Sequence, residues 1–424
     1  MFMISDFTEF QKQVWDEITS TKFKCYYKPH YEKYSLANIS PTILNHFGNK
    51  SKNIIDDEPI KASLDGCTSI VLLLVDGLGF NLLQRSLHNE KLNQIYQNNV
   101  VIPITSTFPS TTSTALSTVN TGMTPQEHGI IGHTMYLRKY GTITNMIRFS
   151  PESDKMSDKL AKSGLNPENF LPKNTLYESL SEMGLPSKVL TRWPYKNSAL
   201  SRMLHKGADV LPYVNSSDMF LTLAKLVNKE TPFVFAYWDV LDSVSHVYGP
   251  FTDEVQSELR NIIYGFLTEF ISNLKNQYKN KVCIFITGDH GLVHVNKTGQ
   301  IITKDIPHFL DNLNRPPSGD SRASFLKLYN SDVKKIQQLL HPYKDQFDVF
   351  PSSKFIKEGF FGSNIINSDL DSVLGDLTVL SRKGATLMHR FRTDQKASLK
   401  GYHGGLVDDE LFVPLFTINP KNIS

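Results

Sequence analysis

Six residues in this chain have side chains that bind transition metals well, and most of them come soon after a short apolar run. They are Asp76, Asp242, His246, Asp289, His290 and His403. Carboxylates mixed with imidazoles suit zinc or a similar divalent ion. A segment rich in hydroxyl side chains, 110–114, lies between the first two, and a hydroxyl beside two metal ions is a ready nucleophile for phosphate. The set therefore predicts a metal-dependent enzyme.

Each of these features taken alone has an ordinary structural explanation. An Asp-Gly pair after an apolar run, as at Asp76, is usually a turn. Adjacent Asp289 and His290 between glycines are a sharper signal but could still be turn and cap residues, and a loop histidine such as His403 is usually solvated. The prediction of a site therefore depends on the whole set.

Three short apolar runs each end shortly before candidate ligands. They are 70–75, 233–238 and 282–287. Continuous runs of Val, Ile, Leu and Phe are typical of strands buried on both faces in α/β proteins. Polar residues just beyond such strands gather at the carboxyl edge of one sheet, where open α/β sheets bind ligands. We therefore predict an α/β fold with a mostly parallel central sheet, in which ligands far apart in sequence meet.

Two further segments carry residues capable of chemistry. The segment 107–122 begins with small hydroxyl residues that cap helices and continues with helix-compatible residues. A nucleophile at such a helix start would have free backbone N–H groups and the positive end of the helix dipole beside it. Asp242 and His246 are four residues apart, which allows them to share one face of a helical turn or to lie together in a tight loop. Ordinary capping explains the first segment alone, but the nearby ligands favour a nucleophile.

The length of the chain, 424 residues, exceeds the size at which domains usually divide. The stretch 296–400 mixes a Pro- and Gly-rich segment with short strand-like and helical patterns, which predicts an inserted α+β cap. The predicted catalytic core comprises 1–295 and 401–424.

Composition limits the partners and the location. The formal net charge is +3 with acids and bases mixed along the chain, which argues against a nucleic-acid polymer as partner. Three unclustered cysteines, Cys25, Cys67 and Cys283, favour a reducing compartment. The start lacks a signal-like pattern, and no apolar run approaches the roughly 20 residues of a membrane span. We expect a cytoplasmic protein with no membrane partner; oligomeric state is not indicated.

Five motifs, in order, resemble the alkaline phosphatase superfamily and, within it, the type I phosphodiesterase / nucleotide pyrophosphatase family. They are ValAspGly at 75–77, the Thr-rich helix start, TyrTrpAspValLeuAspSerValSerHis at 237–246, GlyAspHisGly at 288–291 and GlyTyrHisGly at 401–404. The resemblance covers the core and leaves about half of the chain unassigned. It implies an alkaline-phosphatase-like three-layer core with a smaller inserted α+β cap.

The resemblance also implies a threonine nucleophile. In the family this threonine precedes a Thr-Gly pair and a Pro-x-x-His-Gly-Ile stretch. Counting back without gaps from Gly122 places it at Thr112. Thr111 is the nearest alternative, whereas Thr107 would require five extra residues.

The family pattern implies two sites for divalent metal ions, most consistent with zinc, although manganese fits the same donors. One site comprises Asp76, Thr112, Asp289 and His290, and the other comprises Asp242, His246 and His403. Tyr237 matches the base-stacking tyrosine. Two positions depart from the family: Ser113 replaces an aromatic residue, and His133 replaces an asparagine that contacts phosphate. His133 still offers a hydrogen-bond donor and is retained as a phosphate contact.

The resemblance thus implies a hydrolase of phosphodiester or pyrophosphate bonds in a small phosphorylated substrate, for which a nucleotide is one candidate. Thr112 would form a covalent phospho-threonine intermediate. A phosphomonoesterase or a phosphonate hydrolase of the same superfamily remains an alternative. A metal-binding protein without catalytic activity is a third, although a degenerate enzyme would be expected to lack a ligand or the nucleophile.

Overall fold

Two large β-sheets, each of seven strands, organise the structure. The structure is a computed structural model that describes residues 7–330, 332–363, 369–393 and 399–423. In chain order, the strands of these two sheets are β1 (Ser69–Val75), β2 (Val100–Thr105), β3 (Thr134–Leu137), β4 (Thr142–Asn145), β5 (Ser150–Pro151), β6 (Ser187–Arg192), β7 (Asp209–Tyr213), β8 (Phe233–Trp238), β9 (Val282–Thr287), β10 (Ser318–Gly319), β11 (Ala323–Leu326), β12 (Phe347–Pro351), β13 (Leu377–Ser381) and β14 (Phe412–Ile418).

The first sheet has the strand order β2-β14-β9-β1-β8-β6-β7. Strand β14 is antiparallel to both of its neighbours, and the other neighbouring pairs are parallel. Val75 at the end of β1 pairs with Trp238 at the end of β8, and Leu74 pairs with Thr287 at the end of β9. These three strands therefore end at one level. The predicted α/β fold with a mostly parallel central sheet is confirmed.

The central strands form because their side chains are apolar on both faces. Every residue of β1 and of β14 is buried, and Cys283 in β9 is fully buried as well. Burying apolar surface stabilises the fold by about 25 cal/mol per Å². The three apolar runs that predicted strands correspond to β1, β8 and β9.

Eighteen α-helices occur in the described part of the chain. They are α1 (Glu9–Thr19), α2 (Ile39–His46), α3 (Glu58–Leu64), α4 (Phe80–Ser86), α5 (Glu90–Asn98), α6 (Thr112–Thr121), α7 (Pro125–His128), α8 (Lys159–Lys162), α9 (Leu176–Glu182), α10 (Ala199–Leu204), α11 (Ser216–Val227), α12 (Val240–Tyr248), α13 (Asp253–Gly265), α14 (Asn276–Lys279), α15 (Val333–Leu340), α16 (Ser352–Lys357), α17 (Leu370–Leu374) and α18 (Asp408–Leu411). None of the described helices is long and apolar enough to cross a membrane.

The second sheet is antiparallel and has the order β12-β13-β11-β10-β3-β4-β5. Four of its strands lie in the predicted cap, 296–400, but the other three come from 134–151, which the prediction assigned to the core. The two groups join where Gly319 of β10 pairs with Thr134 of β3. A local sequence pattern cannot reveal such a long-range pairing, so the cap boundaries differ from the extent of this sheet.

Short two-stranded ladders lie outside the two large sheets, and one buried ion pair links the second sheet to the segment that leads into β14. Val293–His294 pairs with Gly401–Tyr402, which places the residue after Tyr402 beside the end of β9. Two further ladders join Lys22–Phe23 to Tyr26–Tyr27 and Gln300–Ile302 to Thr386–Met388. Arg322, just before β11, forms a fully buried ion pair with Glu410 in α18. The segment that returns to the first sheet is therefore fixed against the second sheet.

Candidate metal centre

All six predicted ligands meet at the carboxyl edge of the first sheet. Asp76 directly follows β1, and Asp289 and His290 follow β9. Asp242 and His246 lie on α12, the helix after β8, at i and i+4. His403 enters from the segment that pairs with Val293–His294.

The first group of ligand atoms surrounds His290. Its Nε2 lies 3.2 Å from Thr112 Oγ1, 3.4 Å from Asp289 Oδ2 and 3.5 Å from Asp76 Oδ1. In a tetrahedral shell with metal–ligand bonds of about 2.0–2.1 Å, ligand atoms lie about 3.3 Å apart. The three distances from His290 Nε2 are close to this value, as expected for ligand atoms that share a metal ion with it.

The second group contains Asp242, His246 and His403, whose ligand atoms all lie within 4.8 Å of one another. Asp242 Oδ2 is 3.3 Å from His246 Nε2. The His403 ring stacks on the His290 ring with centroids 3.8 Å apart. Ligand atoms of Asp242, Asp76 and His290 also lie within 4.8 Å of one another, so the two groups adjoin.

The three imidazoles are oriented by backbone carbonyls. In each ring Nδ1 contacts a carbonyl oxygen: His246 to Gly401 at 2.8 Å, His403 to Ser110 at 3.1 Å and His290 to Gly291 at 3.2 Å. A carbonyl can only accept, so Nδ1 is the protonated nitrogen in each ring. Nε2 then offers its lone pair, which is the arrangement typical of metal-binding histidines.

Two of the carboxylates are held by one oxygen each. Asp76 Oδ2 accepts a hydrogen bond from the Tyr237 hydroxyl. Asp289 Oδ1 accepts from the backbone N–H groups of Gly77 at 3.0 Å and His290 at 2.9 Å. These bonds fix the carboxylates and leave the second oxygen of each for a metal ion.

The remaining carboxylate oxygens are buried and lack a hydrogen-bond partner: Asp76 Oδ1, Asp289 Oδ2 and Asp242 Oδ1. Burial and the neighbouring carboxylates of Asp289 and Asp242 raise the pKa of Asp76 well above its usual range. Unpaired buried carboxylate oxygens are costly unless a cation satisfies them. The donor set of carboxylates and imidazoles therefore fits divalent metal ions.

Thr112 is the first residue of α6, and Thr111 is its N-cap. The first N–H groups of a helix have no acceptor within the helix, so they can bind an anion. Thr107 does not join the group, because it is fully buried and its hydroxyl donates to the carbonyl of Pro109 at 2.8 Å. The structure thus places Thr112, and not Thr107, beside the ligands.

Two glycines flank Asp289 and His290 because the backbone there approaches other chain segments closely. A Cβ at Gly288 would lie 2.2 Å from the carbonyl oxygen of Leu78, and one at Gly291 would lie 2.1 Å from that of Asp409. In the Gly-Asp-His-Gly pattern, the two glycines are therefore required by backbone packing, and the two residues between them are the candidate metal ligands.

The two predicted substrate contacts line different cavities. Tyr237 lines a cavity of about 430 Å³ whose walls also include Asp76, Thr112 and Asp242. We call it the Thr112 cavity. His133 instead lines a neighbouring cavity of about 300 Å³. Its Nε2 is 2.8 Å from Asn145 Nδ2, which can only donate.

The sequence alone does not place several residues that line the Thr112 cavity, notably Arg148, Tyr195, His205 and Asp239. The Tyr195 hydroxyl donates to Asp239 Oδ2 at 2.8 Å, and Arg192 Nη1 donates to both oxygens of the same carboxylate. Tyr195 follows β6, a fourth strand that ends at this edge. Its short core, Val189 and Leu190, is too weak an apolar run to predict a strand.

Comparisons with known proteins agree with this geometry. The family model for type I phosphodiesterase / nucleotide pyrophosphatase matches residues 70–406. Murine ectonucleotide pyrophosphatase / phosphodiesterase 5 has a similar structure, with a TM-score of 0.62 and 18% identity, over 82% of this chain and 87% of that chain. Phosphonoacetate hydrolase from Sinorhizobium meliloti 1021, in complex with phosphonoformate, gives a TM-score of 0.61 and 18% identity, over 83% of this chain and 90% of that chain. The structural likenesses support the fold.

The family match spans well over half of the chain and includes every predicted ligand. The chain therefore belongs to the type I phosphodiesterase / nucleotide pyrophosphatase family, and its chemistry is hydrolysis at phosphorus.

Proposed function

We propose that this protein is a metal-dependent hydrolase that cleaves phosphodiester or pyrophosphate bonds of a small nucleotide-like substrate through a phospho-threonine intermediate. The observation that best supports this proposal is the position of Thr112. Its Oγ1 lies among the ligand atoms of the first group, 3.2 Å from His290 Nε2, and it also lines the Thr112 cavity.

Two divalent ions are part of the proposal. Asp76, Thr112, Asp289 and His290 would hold one ion, and Asp242, His246 and His403 would hold the other. When bound, the ions supply Lewis acidity that lowers the pKa of the Thr112 hydroxyl and neutralises charge on the transferring phosphoryl group. The mixture of imidazoles and carboxylates favours zinc, and manganese fits the same donors.

The residues of the chain perform the bond changes as follows. The Thr112 hydroxyl gives up its proton to solvent water and its Oγ1 attacks phosphorus. An oxygen–phosphorus bond forms, the bond from phosphorus to the leaving oxygen breaks, and the leaving oxygen departs as an anion or takes a proton from solvent. The N–H groups at the start of α6 bind the phosphoryl oxygens where negative charge develops. A water molecule then attacks the phospho-threonine, which releases phosphate or phosphomonoester and restores the Thr112 hydroxyl.

The Thr112 cavity supports a nucleotide-like substrate. Its walls include two aromatic side chains, Tyr195 and Tyr237, which can contact a planar ring, and the Arg148 guanidinium. The murine phosphodiesterase 5 structure named above also exists as an inactive threonine-to-alanine variant in complex with AMP, at a TM-score of 0.61 and 17% identity. Both observations favour an AMP-like group in this cavity.

A phosphonate hydrolase is the second candidate, because of Ser113. This side chain is fully buried and donates to the carbonyl of Gly132 at 2.9 Å, so the position of the family's aromatic residue offers no ring. The phosphonoacetate hydrolase with a similar structure was also solved in complex with phosphonoacetate, at a TM-score of 0.60 and 18% identity. A smaller substrate than a nucleotide is thus also supported.

A hydrolysis assay with metal-reconstituted enzyme separates these candidates. The substrates are bis-p-nitrophenyl phosphate, p-nitrophenyl phosphate, a nucleoside 5′-monophosphate p-nitrophenyl ester and phosphonoacetate. The proposal predicts the highest kcat/KM for the nucleotide ester. A preference for phosphonoacetate would favour the second candidate, and a preference for p-nitrophenyl phosphate would indicate a phosphomonoesterase.

We also propose a cytoplasmic location. Three free cysteines, exposed Cys25 and buried Cys67 and Cys283, support a reducing compartment. Fractionation of the native host cells with detection of the protein tests this proposal, and recovery from an extracellular fraction would contradict it.

A further inference from the structure

A second cavity, of about 300 Å³, lies next to the second group of metal ligands. Its walls include His133, Ser318, Asp320, His389, Arg390 and Tyr402, and we call it the Arg390 cavity. Tyr402 is adjacent in sequence to His403. A Cβ at Gly404 would lie 2.5 Å from Asp320 Cγ, so the wall of this cavity abuts the segment that contains the ligand.

Two polar groups on the wall lack partners. The Ser318 side chain is only 4% exposed, and its buried hydroxyl has no hydrogen-bond partner. The Nε of Arg390 is likewise buried without a partner. Among residues 7–330, 332–363, 369–393 and 399–423, no carboxylate forms an ion pair with Arg390. A buried hydroxyl and a buried guanidinium Nε–H without partners are costly, and an oxyanion satisfies both.

The acidic residues of the cavity do not neutralise Arg390. Glu152 Oε2 accepts from Arg148 Nη2 at 2.7 Å and from Asn145 Nδ2 at 2.8 Å. Within the described residues, Asp320 forms no ion pair with Arg390, and burial raises its pKa. Burial also lowers the pKa of His389, so this side chain adds no positive charge at neutral pH.

The wall provides donors of the right kind for an anion. His133 Nε2 accepts from Asn145, so the proton of the neutral ring is on Nδ1, which can donate. A guanidinium binds phosphate or carboxylate through two parallel hydrogen bonds. Donors from His133, Ser318 and Arg390 thus surround a volume that can hold one such group.

We propose that the Arg390 cavity binds a second anionic group of the substrate, a phosphate or a carboxylate, beyond the bond that is cleaved. This inference depends on the proposed function, and it specifies the substrate class. The preferred substrates would be compounds with a pyrophosphate linkage or phosphonates with a carboxylate, rather than diesters whose two substituents are both uncharged.

Isothermal titration of the metal-loaded protein tests this proposal directly. Inorganic pyrophosphate and phosphonoacetate each have a second anionic group, and inorganic phosphate has none. Arg390→Gln should weaken binding of pyrophosphate, phosphonoacetate or both by about tenfold or more, because a charge-assisted bidentate contact is lost. Phosphate binding should change by less than about threefold. Loss for pyrophosphate alone would identify a phosphate subsite, and loss for phosphonoacetate alone a carboxylate subsite.

Two further variants serve as a control and as a replacement for Arg390→Gln. Arg260→Gln removes an exposed arginine on α13 and should leave all three affinities unchanged. If Arg390→Gln does not fold, Ser318→Ala replaces it, with a predicted loss of about threefold or more for pyrophosphate or phosphonoacetate. Unchanged affinities for both two-anion ligands would overturn the proposal. Titration measures binding and does not require turnover. A protein without hydrolytic activity would therefore contradict the proposed function, while the affinities would still test the proposed anion site.

Discussion

Arg322 and Glu410 form a bidentate ion pair in which neither side chain is exposed to solvent, with Nε–Oε1 at 2.8 Å and Nη2–Oε2 at 2.7 Å. The guanidinium also donates to the carbonyls of Arg382 and Ala385. Glu410 Oε1 accepts from the N–H of Gly405, two residues after His403. The pair therefore fixes the segment that contains His403 against the second sheet.

Removal of one member of this pair should destabilise the protein strongly. Arg322→Met leaves the Glu410 carboxylate buried without a cationic partner, with only the Gly405 N–H still donating to it, and the expected loss in the free energy of unfolding is about 3–5 kcal/mol. Urea denaturation at neutral pH measures it. The double variant Arg322→Met with Glu410→Met should recover much of this loss, because no unpaired charge remains. A loss below about 1 kcal/mol in the single variant would contradict this role.

Metal removal should lower thermal stability. Asp76 Oδ1, Asp289 Oδ2 and Asp242 Oδ1 are buried and unpaired, so the folded state without metal contains uncompensated carboxylates. A metal ion whose free concentration is 1,000 times its Kd adds about 4 kcal/mol to the free energy of unfolding. Chelation should therefore lower the Tm measured by calorimetry, and added zinc should restore it. Asp289→Asn should bind less metal and show a smaller effect; an equal effect would argue against Asp289 as a ligand.

Tyr237 should support the first metal group as well as line the cavity. Its hydroxyl donates to Asp76 Oδ2, so Tyr237→Phe keeps the ring but releases the carboxylate. Loss of a hydrogen bond to a ligand typically weakens metal binding about 10–100-fold. Competition with a chromophoric chelator measures the affinity. An unchanged metal affinity with a raised KM would instead indicate that Tyr237 acts only on the substrate.

Stability should fall in mildly acidic solution because of buried His128. Its Nδ1 accepts from the N–H of Ile130 at 3.0 Å, its Nε2 is 3.0 Å from Thr118 Oγ1, and burial lowers its pKa to about 3. The unfolded histidine has a pKa of about 6.5, so below that pH the unfolded chain binds a proton that the folded chain excludes. The free energy of unfolding should fall by roughly 2 kcal/mol from this residue between pH 7 and pH 5.

Urea denaturation at the two pH values tests this effect. His128→Gln can keep both hydrogen bonds, and its loss of stability between pH 7 and pH 5 should be smaller than that of the wild type. His294→Gln, which changes an exposed histidine, should behave like the wild type. The same loss in all three proteins would contradict the prediction.

The predictable part of the fold and site is the part that local patterns determine. Strands β1, β8 and β9 have apolar side chains on both faces, so their sequences reveal them, and the ligands follow their ends. The first turn of α6 begins at Thr112, where the hydroxyl-rich segment predicted a helix start.

The features that sequence reasoning missed depend on contacts between distant segments. Pairing of Gly319 with Thr134 joins a predicted cap strand to a strand assigned to the core. The α-helix that begins at Asp253 ends at Gly265, and π- and 3₁₀-helical turns follow it, a change of helix type that apolar periodicity does not specify. Tyr195 reaches the Thr112 cavity only through the position of β6.

Capture of the covalent intermediate would show whether Thr112 is the nucleophile. Metal-loaded enzyme is mixed with the nucleotide p-nitrophenyl ester, quenched in acid, digested and sequenced by mass spectrometry. Phosphorylation, or nucleotidylation, is expected at Thr112 in the wild type and in Thr111→Ala. None is expected in Thr112→Ala, which should still bind metal while turnover falls by at least about 10³-fold. Modification at Thr111, or normal turnover by Thr112→Ala, would show that Thr112 is not the nucleophile.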